Sequence, residues 1–256
     1  MLLAIDAGNT EIKLGLFTDG EDEIAHTWRV ATDSRRTADE YGALFLQLFT
    51  SERISPREVR SVAIASVVPK LDATFEAICE RRFGVKPAFL EAHRQRLMPV
   101  RTERPAEVGA DLIAMAIGGR ARYGTPLIII SYGTATVFMA IDAAGEYSGV
   151  AIAPGIQISI DALVGRAAKL PQIALDAPQS ALGKNTVEAL QAGFIFGFAG
   201  QSEALIARMR EEMGVAARVV ATGGLANVIA PHCSSIERVD PHLSLEGLRL
   251  YAHRRD

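Results

Sequence analysis

A chain of 256 residues with 49% hydrophobic and 22% charged residues has the composition of a folded globular protein, with enough material for one large domain or two modest ones. A formal net charge of −3, with basic residues clustered no further than pairs such as Arg35-Arg36, argues against a nucleic-acid-binding surface. The two cysteines, Cys79 and Cys233, lie far apart, the N-terminus has no signal or anchor pattern, and no apolar run nears the roughly 20 residues of a spanning helix, so the expectation is a reduced, cytoplasmic protein without a membrane segment.

In chain order, "LLAI" reads as a short apolar strand, "DAGNT" as turn chemistry, and Ile12, Leu14 and Leu16 alternate with Glu11, Lys13 and Gly15 in a second strand. "EIAHTWRVAT" reads as a third strand. Thr37 and Glu40 form a capping-box pattern that opens a helix through about Phe49. "VRSVAIASVV" has the near-continuous apolar character of a buried parallel strand. Pro69 then starts a helix with Leu71, Phe75 and Ile78 on one face, and "KPAFLEA" reads as a further short strand. Residues 94–108 are irregular, and "AEVGADLIAMAIGGRARYG" reads as a helix ending at glycine.

The pattern then restarts. "PLIIISYGTATVFMAID" superimposes on the N-terminal hairpin at an offset of 125 residues, which places Ile5 on Ile130, Asp6 on Ser131, Gly8 on Gly133, Asn9 on Thr134, Ile12 on Val137 and Leu14 on Met139. A strand-turn-strand unit repeated mid-chain points to two similar α/β domains that arose by duplication, with expected boundaries 1–115 and 116–256. "GVAIAPGIQISIDALVGRAAKLP" follows as a strand and a glycine-started helix. A long helix from about Thr186 to Met213 carries Gly193, Gly197 and Gly200 on one face, a spacing that suggests close helix packing. "ARVVATGGLANVIA" reads as strand, Gly-Gly turn and helix, and "LSLEGLRLYAHRR" as a terminal helix.

Three motifs carry chemistry. In "DAGNT", Asp6 at the end of a buried strand suits a hydrated Mg2+, Gly8 allows close backbone approach to phosphate, Asn9 and Thr10 add donors, and Lys13 adds a positive charge. The same residues also suit a plain hairpin turn, but their concentration against an apolar strand favours the phosphate site. In "ATGGLAN", Gly223 and Gly224 stand between strand and helix, where backbone could meet a nucleotide; alone, the pair is equally explained by tight packing. In "PAEVGAD", Asp111 begins an otherwise apolar helix. It is either an exposed acid favoured by the helix dipole or a general base for phosphoryl transfer to an alcohol. "GKNT", residues 183–186, lacks the earlier glycine of a P-loop because position 178 is Pro, so Asn185 or Thr186 reads as a helix cap. The five histidines show no metal spacing, and no Gly-x-Ser-x-Gly elbow is present.

Taken in order, "IDAGNTEIKLGLF", "WRVATDSRRTADEYG", "IASVVP", "EVGAD", "GTAT", "IAPGI", "AKLP", "LGKNTVEALQAGFIFGFAG", "ATGGLA" and "LEGLRL" resemble the type III pantothenate kinases along nearly the whole chain. The resemblance implies ATP-dependent phosphorylation of pantothenate, the first step of coenzyme A biosynthesis. It also implies an α/β fold of two ribonuclease H-like domains of the actin-like, sugar-kinase superfamily with the nucleotide cleft between them, and a homodimer. Carried over, it assigns Asp6, Gly8, Asn9, Thr10 and Lys13 to the ATP-phosphate loop, Thr134, Gly223 and Gly224 to ATP, and Asp111 to the catalytic base. Gly109, Ala110, Asp111, Leu112 and Ala167 fall on the substrate motifs.

Several positions depart from that pattern. The arginine of the family's "GADR" is Leu112, which cannot meet a carboxylate. The second-turn acid that binds K+ or NH4+ in the family is Ser131, the acid of "TTFD" is Met139, the threonine of "RTA" is Ala167, and the tyrosine upstream of "GAD" is Thr102. Each charged hydrogen bond lost without replacement costs about 1.5–3 kcal/mol. The sequence therefore leaves three readings open: a pantothenate kinase using ATP and Mg2+, a kinase for a different small alcohol, and a catalytically degenerate, nucleotide-binding or regulatory relative.

Overall fold

The computed structural model describes residues 1–18, 20 and 22–253. The chain forms two compact units, Met1–Gly118 with Leu243–Asp256, and Gly119–His242. A division at 115/116 assigns the terminal helix to the second half of the chain; by its contacts that helix belongs with the first unit.

The first unit is built on a five-stranded sheet of β1 (Leu2–Ala7), β2 (Glu11–Phe17), β3 (Ile24–Ala31), β4 (Ser61–Ser66) and β5 (Ala88–Phe89), in the order β3-β2-β1-β4-β5. β1–β2 and β2–β3 pair antiparallel, whereas β1–β4 and β4–β5 pair parallel. Every residue of β1 is buried, the apolar run of residues 2–5 and Asp6 alike, while β3 at the edge alternates buried or half-buried with exposed residues. Helix α1 (Ala38–Ser51) starts at Thr37, whose side chain accepts from Glu40 N while the Glu40 carboxylate accepts from Thr37 N at 2.8 Å. With α2 (Pro69–Ile78) it supplies Tyr41, Phe45, Phe49, Leu71 and Phe75 to the core over Leu3, Ile5, Ile12 and Leu14.

Helix α3 (Ala110–Tyr123) begins later than the "AEVGAD" pattern suggests. Pro105–Glu107 form a separate 3-10 turn and Val108 is extended, so the helix is free to start immediately before Asp111.

The second unit repeats the plan. Its sheet contains β6 (Leu127–Tyr132), β7 (Ala135–Ile141), β8 (Tyr147–Pro154), β9 (Arg218–Thr222) and β10 (Arg238–Val239) in the order β10-β9-β6-β7-β8. Read from the other edge, this is the first sheet again, antiparallel at β6–β7 and β7–β8 and parallel at β6–β9 and β9–β10. Helices α4 (Ile156–Arg166), α5 (Thr186–Met213) and the short α6 (Ala226–Ile229) complete the unit. Asn185 caps α5 by accepting from Glu188 N at 2.9 Å, and Gly214 ends it at φ 64°. The glycine face of α5 does not pack as its spacing suggests, since a Cβ at Gly193, Gly197 or Gly200 would meet no described atom within 4 Å.

The C-terminal helix α7 (Leu243–His253) lies against β1, β4 and β2 of the first unit. It crosses α3 at two glycines. A side chain at Gly118 would strike the Leu243 carbonyl, and one at Gly247 would strike that of Ala114.

Candidate functional site

β1 delivers Asp6 to its C-terminal end, one residue before the turn, and the ladder sets Lys13 of β2 directly opposite. Asp6 is 7% exposed. Ser244 of α7 donates to its Oδ2 at 2.6 Å, and Lys13 Nζ stands 4.0 Å from the same oxygen. Burial pushes the Asp6 carboxyl above its ordinary value, against the opposing pull of the Lys13 charge and the Ser244 hydrogen bond.

The turn that follows is closed internally. Gly8 N donates to the Glu11 carbonyl at 3.0 Å, so this amide serves the turn and leaves the exposed Asn9 and Thr10 at its outer edge. Thr32, just past β3, straps the loop: its amide donates to Thr10 O at 3.0 Å and its hydroxyl to Gly8 O at 2.7 Å.

Asp111 occupies the first turn of α3, where its Oδ1 accepts from Leu112 N at 2.9 Å. Burial, and then the negative charge of Asp6, push this carboxyl up to about 6. Gly109 makes the arrangement possible, since a Cβ there would stand 2.5 Å from Asp111 Oδ1. The flanking Ala110 and Leu112 are half-buried. The sequence-assigned residues of the first unit thus include two carboxylates, and the charge of Asp6 acts on Asp111.

The donor set at Asp6 fits Mg2+ of the phosphate-bound kind. Among the described residues no group of three acids, histidines or cysteines forms a cage. A single carboxylate at a strand end matches an ion that takes its other ligands from phosphate oxygens and water.

In the second unit the equivalent turn is shorter by one residue. Gly133 N closes on Ala135 O at 3.1 Å, where Gly8 closes on Glu11. Beyond the turn the correspondence with the first hairpin therefore shifts by one. Ile130 pairs with Phe138 as Ile5 pairs with Leu14, and Ser131 pairs with Val137 as Asp6 pairs with Lys13. The alignment of Ile12 on Val137 and of Leu14 on Met139 is corrected accordingly. Met139 is a buried partner of Ile129 in the ladder. The acid and its facing lysine are thus both missing from the second turn.

That turn has backbone clearance instead of charge. Gly223, at φ 96°, sits so close to Tyr132 that a Cβ would stand 2.5 Å from the Tyr132 carbonyl oxygen, which accepts from Leu225 N at 3.3 Å. Gly155 lies against the other side, where a Cβ would strike the Thr134 carbonyl and come within 2.6 Å of that of Gly133. Thr134, Gly223 and the exposed Gly224 are thereby grouped around one stretch of backbone. Ala167 is elsewhere, ending α4 with its amide on Leu163 O. Thr102 is half-buried, with a hydroxyl that has no partner among the described residues.

Sequence reasoning missed Thr32, Gly155 and Ser244. The first two lie within the quoted motifs "RVATD" and "IAPGI" but announce no role. Ser244 gives no local signal at all, being 238 residues from its partner.

The profile described as type III pantothenate kinase matches residues 2–208. A type III pantothenate kinase of Moorella thermoacetica is 49% identical over 254 residues, covering 99% of each chain. Another, of a Roseiflexus species, is 49% identical over 250 residues, covering 98% of this chain and 97% of the relative. Among solved structures, a conserved putative Baf family transcriptional activator from Campylobacter jejuni aligns with a TM-score of 0.62 at 15% identity, covering 99% of this chain and 98% of the other. An inorganic polyphosphate/ATP-glucomannokinase from an Arthrobacter species aligns with a TM-score of 0.51 at 12% identity, covering 100% and 99%. These structural likenesses establish the actin-like, sugar-kinase architecture. The sequence matches establish more: the chain belongs to the type III pantothenate kinase family.

Proposed function

We propose that the protein transfers the γ-phosphoryl group of ATP to the primary hydroxyl of pantothenate, with Asp111 as the general base. The observation that carries this reading is the pair of carboxylates in the first unit, in which burial and the Asp6 charge bring Asp111 to about 6. Near pH 7 such a group is mostly ionised yet a better proton acceptor than an ordinary aspartate. Its Oδ1 is tied to Leu112 N, so Oδ2 takes the proton of the attacking hydroxyl. Asp6 holds Mg2+, which when bound neutralises charge on the phosphate oxygens. Asn9, Thr10 and Lys13 steady the triphosphate, and the family resemblance assigns Thr134, Gly223 and Gly224 to ATP as well.

Leu112 favours a second reading, because it offers pantothenate's carboxylate no cation, and Arg104 nearby in sequence is engaged with Glu107 at 3.0 Å. That reading is a kinase for a different alcohol, or a nucleotide-binding relative without turnover. A coupled ADP-release assay with pantothenate, with and without K+, separates the readings. Turnover is expected in the wild type, and a fall of about 10²–10⁴-fold in Asp111→Asn with folding intact. ATP binding without ADP release on pantothenate overturns the assignment, and release on another alcohol redirects it.

We further infer a cytoplasmic homodimer. Val150 and Ile152 on edge strand β8 and Ile158 and Leu163 on α4 are exposed apolar side chains, in keeping with an interface between copies. Light scattering that gives a monomer at micromolar concentration rules the dimer out.

A further inference from the structure

Ser244 is 2% exposed and lies in the first turn of α7, between Leu243 and Leu245. A hydroxyl at that depth is costly unless it is bonded, and an apolar helix face laid on a sheet has no packing need for one. Its hydroxyl donates to Asp6 Oδ2 at 2.6 Å, the oxygen that Lys13 also approaches. Both partners therefore converge on one oxygen of the carboxylate.

The rest of α7 fixes the height and rotation at which that hydroxyl arrives. Gly118 and Gly247 seat it against α3, leaving no room for even a methyl group at either crossing. Gly15 of β2 admits Leu245, whose Cδ1 would stand 2.9 Å from a Cβ at that position. Arg249 is held by Glu246 through two bonds of 3.0 and 2.9 Å and by Asp22 at 2.6 Å, so the helix is tied to its own first turns and to the β2–β3 connection. The helix that supports the strand end of Asp6 is thus the one that braces α3, whose first turn carries Asp111.

We propose that Ser244 is a positioning residue for the magnesium-binding acid, holding Asp6 by Oδ2 and so reserving Oδ1 for the magnesium shell. The proposal rests on the reading of Asp6 as that acid. It makes the C-terminal helix, which lies beyond the matched residues 2–208, part of the phosphate-binding machinery.

Calorimetry on the full chain tests it, comparing ATP with Mg2+ against ATP with a chelator. Ser244→Ala is expected to weaken binding of the magnesium complex by about tenfold, the usual cost of losing an outer-shell partner, while metal-free ATP binds as in the wild type and Ser244→Thr restores the preference. Equal loss of both forms shows a merely structural serine and overturns the proposal. Should Ser244→Ala fail to fold, Ser244→Cys keeps the volume with a weaker donor; a wild-type preference for the magnesium complex in that variant is equally fatal. Asp6→Asn separates the two layers. If it loses the preference while Ser244→Ala keeps it, only the role of Ser244 falls; if it keeps the preference, the reading of Asp6 itself fails.

Discussion

The two hairpin turns descend from one design and now work by different physics. In the first, a buried acid faces a lysine across the ladder, and a threonine just past the next strand straps the loop. In the second, a serine faces a valine, and two glycines let neighbouring backbone close on Tyr132 and Thr134. A charged turn depends on the side chains that orient its acid, whereas an uncharged one depends on what its backbone can approach. The second turn thus holds neither the acid nor a facing cation, and no charge there needs compensation.

Glycine substitutions give the largest contrast between the turns. Gly223→Ala imposes a left-handed conformation on a residue with a Cβ, about 1–2 kcal/mol, and adds a collision with Tyr132 backbone that no side-chain rotation relieves, for a total above about 3 kcal/mol. Gly8→Ala meets only the Glu11 carbonyl, at 3.0 Å, and costs less. Gly133→Ala finds 3.7 Å of clearance to Ala135 O and an ordinary φ, so its cost stays within about 0.5 kcal/mol. Urea unfolding of the three variants checks the order. A Gly133→Ala variant as unstable as Gly223→Ala would remove the distinction between the turn and the backbone packed on it.

Much of the fold was legible because its signals are local. The capping box at Thr37, the Asn185 cap, the Pro69 start and the period-2 strands appear where propensity and patterning put them. The duplication was legible as well, and the two sheets share one strand order and one set of pairing directions. The one-residue shift beyond the second turn was not. β7 is buried on both faces from Thr136 onward, so Val137, Phe138 and Met139 are equally apolar and no alternation marks the register. The closing bond of the turn sets it, and sequence does not display that bond. The glycines of α5 misled for a related reason: helical spacing shows which residues share a face, not whether anything lies against it. Asp6 and Asp111 stand out in the sequence as candidates by their chemistry, but Ser244 belongs to a long-range contact that no pattern announces.

Asp111 tests the charged side of the comparison through stability. Its folded value, about 6, lies above the ordinary 3.8, so the folded state holds its proton more tightly than the unfolded chain does. Below about pH 4 both states are protonated and the residue is neutral in the balance. As pH rises from there to about 6 the folded state loses stability relative to the unfolded one, and above that the penalty stays constant at about 3 kcal/mol. Asp111→Asn removes it while keeping an oxygen for Leu112 N. The variant should therefore be more stable than the wild type at pH 7.5, with the gap closing by pH 4. A variant less stable at pH 7.5 would mean that the ionised carboxylate has a stabilising partner and is not held at a cost.

The smallest effect belongs to the uncharged turn. With Ser131 opposite Val137, the second turn offers a neutral oxygen and no carboxylate, so K+ should change turnover by less than about twofold, the loss of one weak, partly hydrated contact. Ser131→Asp restores an acid without its lysine, half of the arrangement seen at Asp6. Such a carboxylate would face Val137 and not a lysine across the ladder, and a monovalent ion is the simplest compensation. The variant should thus acquire a K+ dependence that the wild type lacks, read as ADP release across a K+ titration at constant ionic strength. A wild type that already rises steeply with K+ would show that the neutral turn still binds the ion through oxygen atoms alone, and that the missing acid cost the second turn less than the comparison implies.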